Sequence, residues 1–361
     1  MKVLLTADPI GGVWSYTLEL CDALRPSQTH MVLATLGRAL TATQRAQVAA
    51  LHNVTLHESA FRLEWMPEPW DDLAQAGEWL LELERKHRPD VVHLNHLVHA
   101  DLQWQAPVVS VGHSCVLSWC SAVRGGRAGS EWSTYERRVT ASLQAARCVV
   151  APTHTMLTAL ERHYGPFAQT AVIYNARSER LFAPRHRHKE HLVLCAGRLW
   201  DEAKNVGALA AVAPSLKAPV LLAGETRAAG EEIPGVQLLG QLDPDELASW
   251  YARAAIYALP ARYEPFGLSA LEAALSGCAL VLGDIDSLRE VWGAAALYVA
   301  PEDHDGLRET LNELLANDLL RAAMGGRALA RARQLSPVRL ARGYADLYRR
   351  IRCDLRCSTT P

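Results

Sequence analysis

The chain has 361 residues, 49% of them apolar and 21% charged, a globular composition with room for two domains of ordinary size. Its 37 Lys and Arg against 39 Asp and Glu leave a net charge of −2, and neither half is a basic domain, so nucleic-acid binding by phosphate neutralisation is not expected. No apolar run reaches membrane-spanning length and "MKVLLTAD" reads as a strand rather than a signal peptide; a cytoplasmic protein is expected, with at most peripheral contact with a membrane.

From the N-terminus, short apolar runs alternate with amphipathic stretches, the mark of a parallel α/β sheet. "KVLLTAD" is a strand and "WSYTLELCDAL" a helix with Tyr16, Leu20, Ala23 and Leu24 at helical spacing. "HMVLATL", "VTLHES", "DVVHLNH", "PVVSVGH", "CVVAPT" and "TAVIYNA" continue the strands, with "TATQRAQVAALH", "DLAQAGEWLLELERKH", "EWSTYERRVTASLQAA" and "HTMLTALERHYG" as helices between them. The stretch 183–191, "APRHRHKEH", is polar and basic and reads as a linker; its histidines 186, 188 and 191 fit a solvated segment better than a metal cluster. Alternation then restarts with "LVLCAGRL", "NVGALAAVAPSL", "PVLLAGE" and "VQLLG". "DPDELASWYARA" opens on a capping box of Asp243 and Glu246, and "IYALPAR", "SALEAALSG", "ALVLGD" and "ALYVAPED" precede closing helices. Several of the eight cysteines lie in strand-like runs and no Cys-x-x-Cys occurs, so buried thiols are expected and no zinc site. The architecture this implies is two doubly wound α/β domains facing across a cleft: 1–182, a linker 183–191, 192–336, and a last helical stretch 337–361. Ligands of such sheets bind beyond the carboxyl ends of the strands, which directs attention to four loops.

In "DPIGGVW", Gly11 and Gly12 let backbone approach a ligand at a helix start, although a tight strand-to-helix turn explains them equally well. In "SVGHSC", His113 ends a strand, where a hydrogen-bonded edge histidine is the plain alternative to a ligand contact. In "AGRLWDEAKN", Arg198 and Lys204 would both reach one diphosphate, or would be solvent-facing cations balanced by Asp201 and Glu202. In "YEPFGLSALEAALSG", Glu264 and Glu272 flank a helix start. Ser269 reads as the N-cap, Ser269 with Glu272 as a capping box, and Gly277 as the stop. The N–H groups over 267–270 would face outward as an anion site. A carboxylate aimed at that site would repel a phosphate, so Glu264 is expected on neutral hydroxyls or on a developing positive charge. Phosphate, hydroxyls and such a charge meet in a sugar nucleotide.

"RYEPFGLSALEAALSG" resembles the signature segment of the family-4 retaining glycosyltransferases, two glutamates flanking seven residues. "GGVWSYTLELCDAL", "GRLWDEAKN", "VIYNA" and "ALYVAPED" resemble other parts of that family in the same order, so the likeness covers nearly the whole chain. It implies the GT-B fold of two Rossmann-like domains, the acceptor mostly on the first and the nucleotide sugar on the second, with the last helix crossing back to the first. It implies retention of configuration, transfer of a hexose-type sugar, no required metal and no cofactor besides the nucleotide-diphosphate sugar co-substrate. By position, Arg198 and Lys204 would hold the donor diphosphate, and Pro265, Phe266, Gly267, Leu268 and Ser269 would line phosphate and sugar oxygens. Glu264 would bind sugar hydroxyls and Glu272 the ribose. Gly11 and Gly12 would approach the diphosphate, and His113 the transferred sugar near its anomeric centre, making Glu264 and His113 the candidate catalytic pair. The acceptor implied is a small molecule, a glycan or a lipid-linked hydroxyl. Three departures border the pockets: relatives commonly follow the asparagine at 175 with glycine and a nearby aspartate, whereas here Ala176, Arg177 and Ser178 follow; an acid is frequent after His113, where Ser114 stands; and a glycine-rich loop often precedes the glutamate matching Glu290, where "GDIDSLRE" stands. A phosphorylase or epimerase on the same fold, or a non-catalytic sugar-nucleotide-binding protein, are the alternatives.

Overall fold

A computed structural model describes residues 1–184, 189–226 and 232–358, with side chains to Cys353. The chain divides into two compact units, Met1–Asn175 with the stretch from Pro337 on, and Ala176–Ser336. The first unit contains β1 (Lys2–Ala7), α1 (Gly12–Ala23), β2 (His30–Thr35), α2 (Ala42–Ala49), β3 (Val54–Glu58), α3 (Trp70–His87) and β4 (Val91–Leu94). It continues with β5 (Val108–Val111), α4 (Val116–Arg124), α5 (Ser133–Ala145), β6 (Cys148–Ala151), α6 (His154–Tyr164) and β7 (Thr170–Val172). The second contains α7 (Glu179–Phe182), β8 (Glu190–Ala196), α8 (Val206–Val212), β9 (Val220–Ala223), β10 (Gln237–Gly240), α9 (Pro244–Arg253) and β11 (Ala254–Leu259). Then come α10 (Leu268–Leu275), β12 (Ala279–Gly283), α11 (Asp286–Trp292), β13 (Leu297–Val299), α12 (His304–Ala316) and α13 (Asp318–Ala332). The last helix, α14 (Pro337–Ser358), belongs to the first unit and packs on α1.

Every strand pair is parallel. The first sheet runs β3-β2-β1-β4-β5-β6-β7 and the second β10-β9-β8-β11-β12-β13. Strands covered on both faces must be apolar throughout, and Val3, Leu4, Leu5, Val91 and Val92 are wholly buried, as are Ile256, Tyr257, Ala258 and Leu259. In each sheet the strand order reverses once, between β1 and β4 and between β8 and β11. The loops leaving such a neighbouring pair diverge to opposite faces and open a crevice at the carboxyl ends. That topology brings Arg198, just after β8, into the same neighbourhood as Glu264, just after β11, although 66 positions separate them.

The capping box of α9 forms as expected: the Asp243 side chain accepts from Glu246 N and the Glu246 carboxylate from Asp243 N. Cysteines 21, 115, 120, 148, 195 and 278 are buried free thiols. The segment "VLSWCSAVR", which the sequence reading assigns to no element, is the helix α4, with Leu117 and Cys120 turned inward. The described residues of the polar stretch 183–191 fall inside the second unit, where the Lys189 ammonium donates to Tyr251 O at 2.8 Å; His186 and His188 lie outside the described residues. Among the described residues no helix is long and apolar enough to cross a membrane, and no group of three or more His, Cys, Asp or Glu is arranged to hold a metal ion.

Candidate functional site

In the second unit, β8 leads into a tight turn that Asp201 organises. Its Oδ1 accepts from Ala203 N at 3.0 Å and its Oδ2 from the Arg198 guanidinium at 3.0 Å. Arg198 also lies over the Trp200 ring, 5.4 Å from its centroid. Asn205 takes the left-handed conformation, φ 55°, and its amide donates to Pro260 O at 2.9 Å and Pro301 O at 2.7 Å. Arg262 N donates to Ala203 O at 2.9 Å. These bonds clamp the turn after β8 to the loop after β11. Lys204, which precedes α8 in a short 3₁₀ turn rather than beginning that helix, is thereby carried to Glu264.

The Lys204 ammonium pairs with Glu264 Oε2, and both side chains are mostly buried, 16% and 12% exposed. Glu264 Oε1 accepts from Gly267 N at 2.9 Å, and Ser287 Oγ donates to the Glu264 carbonyl at 2.6 Å. The carboxylate therefore sits on the helix start itself. The expected contact with hydroxyls concerns a ligand; within the chain the carboxylate accepts from the Gly267 N–H rather than turning away from it. The reason is Lys204, whose charge makes a carboxylate welcome where an isolated one would not be. Burial alone would raise the Glu264 carboxyl; the Lys204 charge and the Phe266 and Gly267 N–H groups outweigh it and hold the group below its ordinary value.

A correction concerns the cap. α10 begins at Leu268 with Gly267 as N-cap and no side-chain cap, so Ser269 lies inside the helix and no Ser269–Glu272 capping box forms. Gly267 turns the chain two residues early because φ 88° is open to glycine. The Ser269 hydroxyl instead accepts from Tyr257 OH at 2.7 Å, which leaves Glu272 free of any capping duty. Glu272 Oε1 stands 2.8 Å from Arg177 Nε, with the side chains 10% and 14% exposed. Arg177 lies over the Phe182 ring at 5.0 Å. Burial pushes the Glu272 carboxyl up, and the Arg177 and Tyr251 contacts offset this only in part. Arg177, the partner of Glu272, entered the sequence reasoning only as a departure from pattern. Gly277, φ 83°, follows the α10 C-cap and stops the helix as expected.

Gly267→Ala is expected to destabilise the protein by about 1–2 kcal/mol, because a non-glycine left-handed residue is strained. Its Cβ would also lie 3.2 Å from Leu288 Cδ2. A urea melt within error of the parent would contradict this.

In the first unit, the residues expected at a ligand follow the carboxyl ends of β1 and β5. Gly11, φ 69°, is the N-cap of α1, which begins at Gly12, and a Cβ at Gly11 would meet nothing within 4 Å. His113, partly buried, stands 4.5 Å from the Tyr16 ring, centroid to centroid, and its Nε2 lies 2.9 Å from Asn95 Oδ1. Burial pulls the His113 imidazole down to about 4, so the ring is neutral at neutral pH. Around it lies a buried cluster that sequence reasoning missed: His93, Asn95, His96 and His99 in "HLNHLVH", with Thr6, Tyr16, Tyr344 and Tyr348. Histidines three positions apart, at 93, 96 and 99, at a strand end were the available signal.

The profile of Glycosyltransferase Family 4 matches residues 10–178, and that of Glycosyl transferases group 1 matches residues 190–317. The chain belongs to the family-4, group 1 glycosyltransferases and has their GT-B fold. Among relatives, a D-inositol 3-phosphate glycosyltransferase of Nocardioides sp. is 34% identical over 130 residues, 36% of this chain and 28% of that protein. A glycogen synthase of Mycobacterium tuberculosis is 28% identical over 350 residues, 85% of this chain and 83% of that protein. Among solved structures, sucrose-phosphate synthase from Thermosynechococcus elongatus superposes with a TM-score of 0.80 at 20% identity, covering 97% of this chain and 99% of that one. HepE of Anabaena, solved with UDP and glucose, superposes with a TM-score of 0.75 at 18% identity, covering 96% and 99%. At such identities the structural likeness speaks for the fold.

Proposed function

We propose that the protein is a retaining transferase that moves a hexose-type sugar from a nucleotide-diphosphate donor to a hydroxyl acceptor without using a metal ion. The observation that carries this is the Lys204–Glu264 pair seated on the start of α10 at the point where the second sheet reverses its strand order. A cation, a turn N–H and a helix N-terminus converge there, and a carboxylate of the protein fills the place of an anion. When a diphosphate arrives, Lys204 and the Gly267 N–H exchange Glu264 for phosphate oxygens, and Arg198 adds a forked donor. Glu264, released from its cation, then accepts from the sugar hydroxyls.

Sugar transfer breaks the bond from the anomeric carbon to the diphosphate while positive charge grows on the ring. Lys204, Arg198 and the α10 N-terminus take up the negative charge on the leaving oxygen, preorganised for it. Glu264 favours the cationic ring, the acceptor oxygen attacks the face the phosphate leaves, and the departing phosphate takes the acceptor proton. Glu272, held by Arg177, is assigned to the ribose; His113, neutral, to the transferred sugar. The relatives' names differ in acceptor, an inositol phosphate in one and glycogen in another. We therefore assign the acceptor only as a hydroxyl on a small molecule, a glycan or a lipid carrier. A phosphorylase would need further cations at the leaving group, and Arg262, the nearest in sequence, is tied to Glu302 at 2.7 and 3.1 Å.

The test is a panel of nucleotide sugars, with release of nucleotide diphosphate and the anomeric configuration of any product as readouts. Release with at least one donor and a retained configuration are expected. No release and no thermal shift with any donor would overturn the reading.

A further inference from the structure

The hydrogen bonds of the first unit's histidine cluster determine one another's protons. The Leu73 carbonyl only accepts, so His99 Nε2, 2.7 Å away, carries a proton. In a ring kept neutral by burial, His99 Nδ1 then accepts, and His96 Nε2 at 2.8 Å is the donor. His96 Nδ1 accepts from the Thr6 hydroxyl at 2.9 Å, and the Thr6 oxygen accepts from Asn95 N at 2.9 Å. The orientation of the Asn95 amide is fixed as well: its Nδ2 donates to Thr6 O at 2.8 Å, which only an NH₂ can do. Asn95 Oδ1 is thereby turned to two imidazoles at once, His113 Nε2 at 2.9 Å and His93 Nε2 at 3.1 Å. An amide oxygen donates nothing, so both Nε2 atoms are protonated. His93 Nδ1 then accepts from the Tyr348 hydroxyl of α14 at 2.5 Å, which closes the far end.

We propose that Asn95 is the positioning residue of this site: its amide oxygen locks His113 in the Nε2–H tautomer, so that the ring meets its ligand through Nδ1, as a hydrogen-bond acceptor. The consequence is a selectivity. A neutral imidazole offering only a lone pair suits a hydroxyl, which donates to it, and disfavours a carboxylate or phosphate oxygen, which brings a second lone pair and a charge. Resting on the assignment of His113 to the transferred sugar, this makes the site one for a sugar hydroxyl and ranks neutral hexosyl donors above uronosyl ones. Asn95 does this without touching the sugar itself. Its own place depends on Thr6 at one side and, through His93, on Tyr348 at the other.

Long-range proton–nitrogen spectra of the full chain, labelled with ¹⁵N-histidine and recorded without ligand, test the proposal directly; His113 is assigned by its absence in His113→Gln. The expected result is a His113 Nδ1 with the shift of an unprotonated ring nitrogen and an Nε2 with that of a protonated one. Asn95→Leu is expected to give a mixture of tautomers and a donor KM raised roughly tenfold, the worth of one misdirected hydrogen bond, with kcat less affected. Asn95→Asp, which keeps an acceptor oxygen toward the rings but sets its second oxygen against the Thr6 carbonyl, is expected to keep the His113 Nε2 proton at a cost in stability. A His113 protonated at Nδ1 in the parent protein overturns the proposal, as does a pure Nε2–H form in Asn95→Leu. If Asn95→Leu fails to fold, the parent spectrum and Asn95→Asp decide. Because the spectra need no turnover, a protein that transfers no sugar would strike the transferase reading and leave the tautomer standing.

Discussion

Lys204→Ala is expected to lower stability by about 3 kcal/mol, because removing one partner of a largely buried ion pair strands the other. It is expected to weaken donor binding by roughly 10- to 100-fold, the worth of a hydrogen bond to a charged group. On the proposed reading both losses have one origin: the ammonium that neutralises Glu264 would neutralise the donor phosphate in its turn. The pH dependence should change sign. In the parent, Glu264 is held below its ordinary value, so it contributes stability above the unfolded-state value, lost as pH falls through the folded one. Without Lys204 the chief remaining influence is burial, which raises the group. The charged carboxylate then costs stability as pH rises past the unfolded value. Glu264→Gln in the Lys204→Ala background should recover much of the stability and none of the donor affinity, which a double-mutant cycle separates. Urea melts between pH 4 and 8, and calorimetry with the donor selected by the nucleotide-sugar panel, are the measurements. A Lys204→Ala protein with parental stability and affinity would remove the pair from the site.

The second large effect is acid sensitivity of the first unit. Burial pulls His93 down to about 3 and His113 to about 4, and it lowers His96 and His99 as well. A histidine whose folded value is depressed stays neutral in the fold while the unfolded chain takes a proton. Its contribution is complete above the unfolded value near 6.5 and is lost as pH falls toward the folded one. Each such ring removes about 1.4 kcal/mol per pH unit within that window. Two or more acting together would consume a large share of the stability of an ordinary domain by pH 4.5. Amide exchange at pH 7, 6 and 5 should show protection falling in β1, β4 and β5. His93→Gln, which cannot titrate, should shallow the slope by one histidine's worth. Protection unchanged between pH 7 and 5 would refute the argument.

Much of this fold is legible in the sequence because parallel strands buried on both faces announce themselves as unbroken apolar runs. "KVLLTA" and "AAIYAL" admit few other readings. Arg198, Lys204 and Glu264 stand out because cations and acids in the stretches after such strands have little structural excuse, whereas Glu272, inside α10, had a plain one as a cap. What escaped was decided by partners distant in the chain. Ser269 has the local grammar of a cap, but a glycine two positions earlier and a tyrosine hydroxyl twelve positions earlier claim the helix start and the side chain. Arg177 gained meaning only when α10 presented Glu272 to it, 95 positions on. Asn95 is one polar residue at a strand end until Thr6, His93 and His113 are in place around it. Helix α4 went unread because its apolar face is short and its turns carry Trp119 and Cys120, which suit a groove as well as a helix.

The last helix has a consequence for how the protein is made. Tyr344, Tyr348, Leu340, Leu347 and Ile351 of α14 are buried against the first unit, and the Tyr348 hydroxyl terminates its histidine cluster. A ribosome delivers those residues only after all of Ala176–Ser336, so the second unit, contiguous in the chain, can close while still being synthesised. The first unit emerges earlier yet must wait, with the apolar groove beside α1 uncovered, for a segment encoded more than 150 residues later. The nascent chain therefore matures in reverse order, and the interval before α14 arrives is when it is most exposed to chaperones, proteases and misassociation.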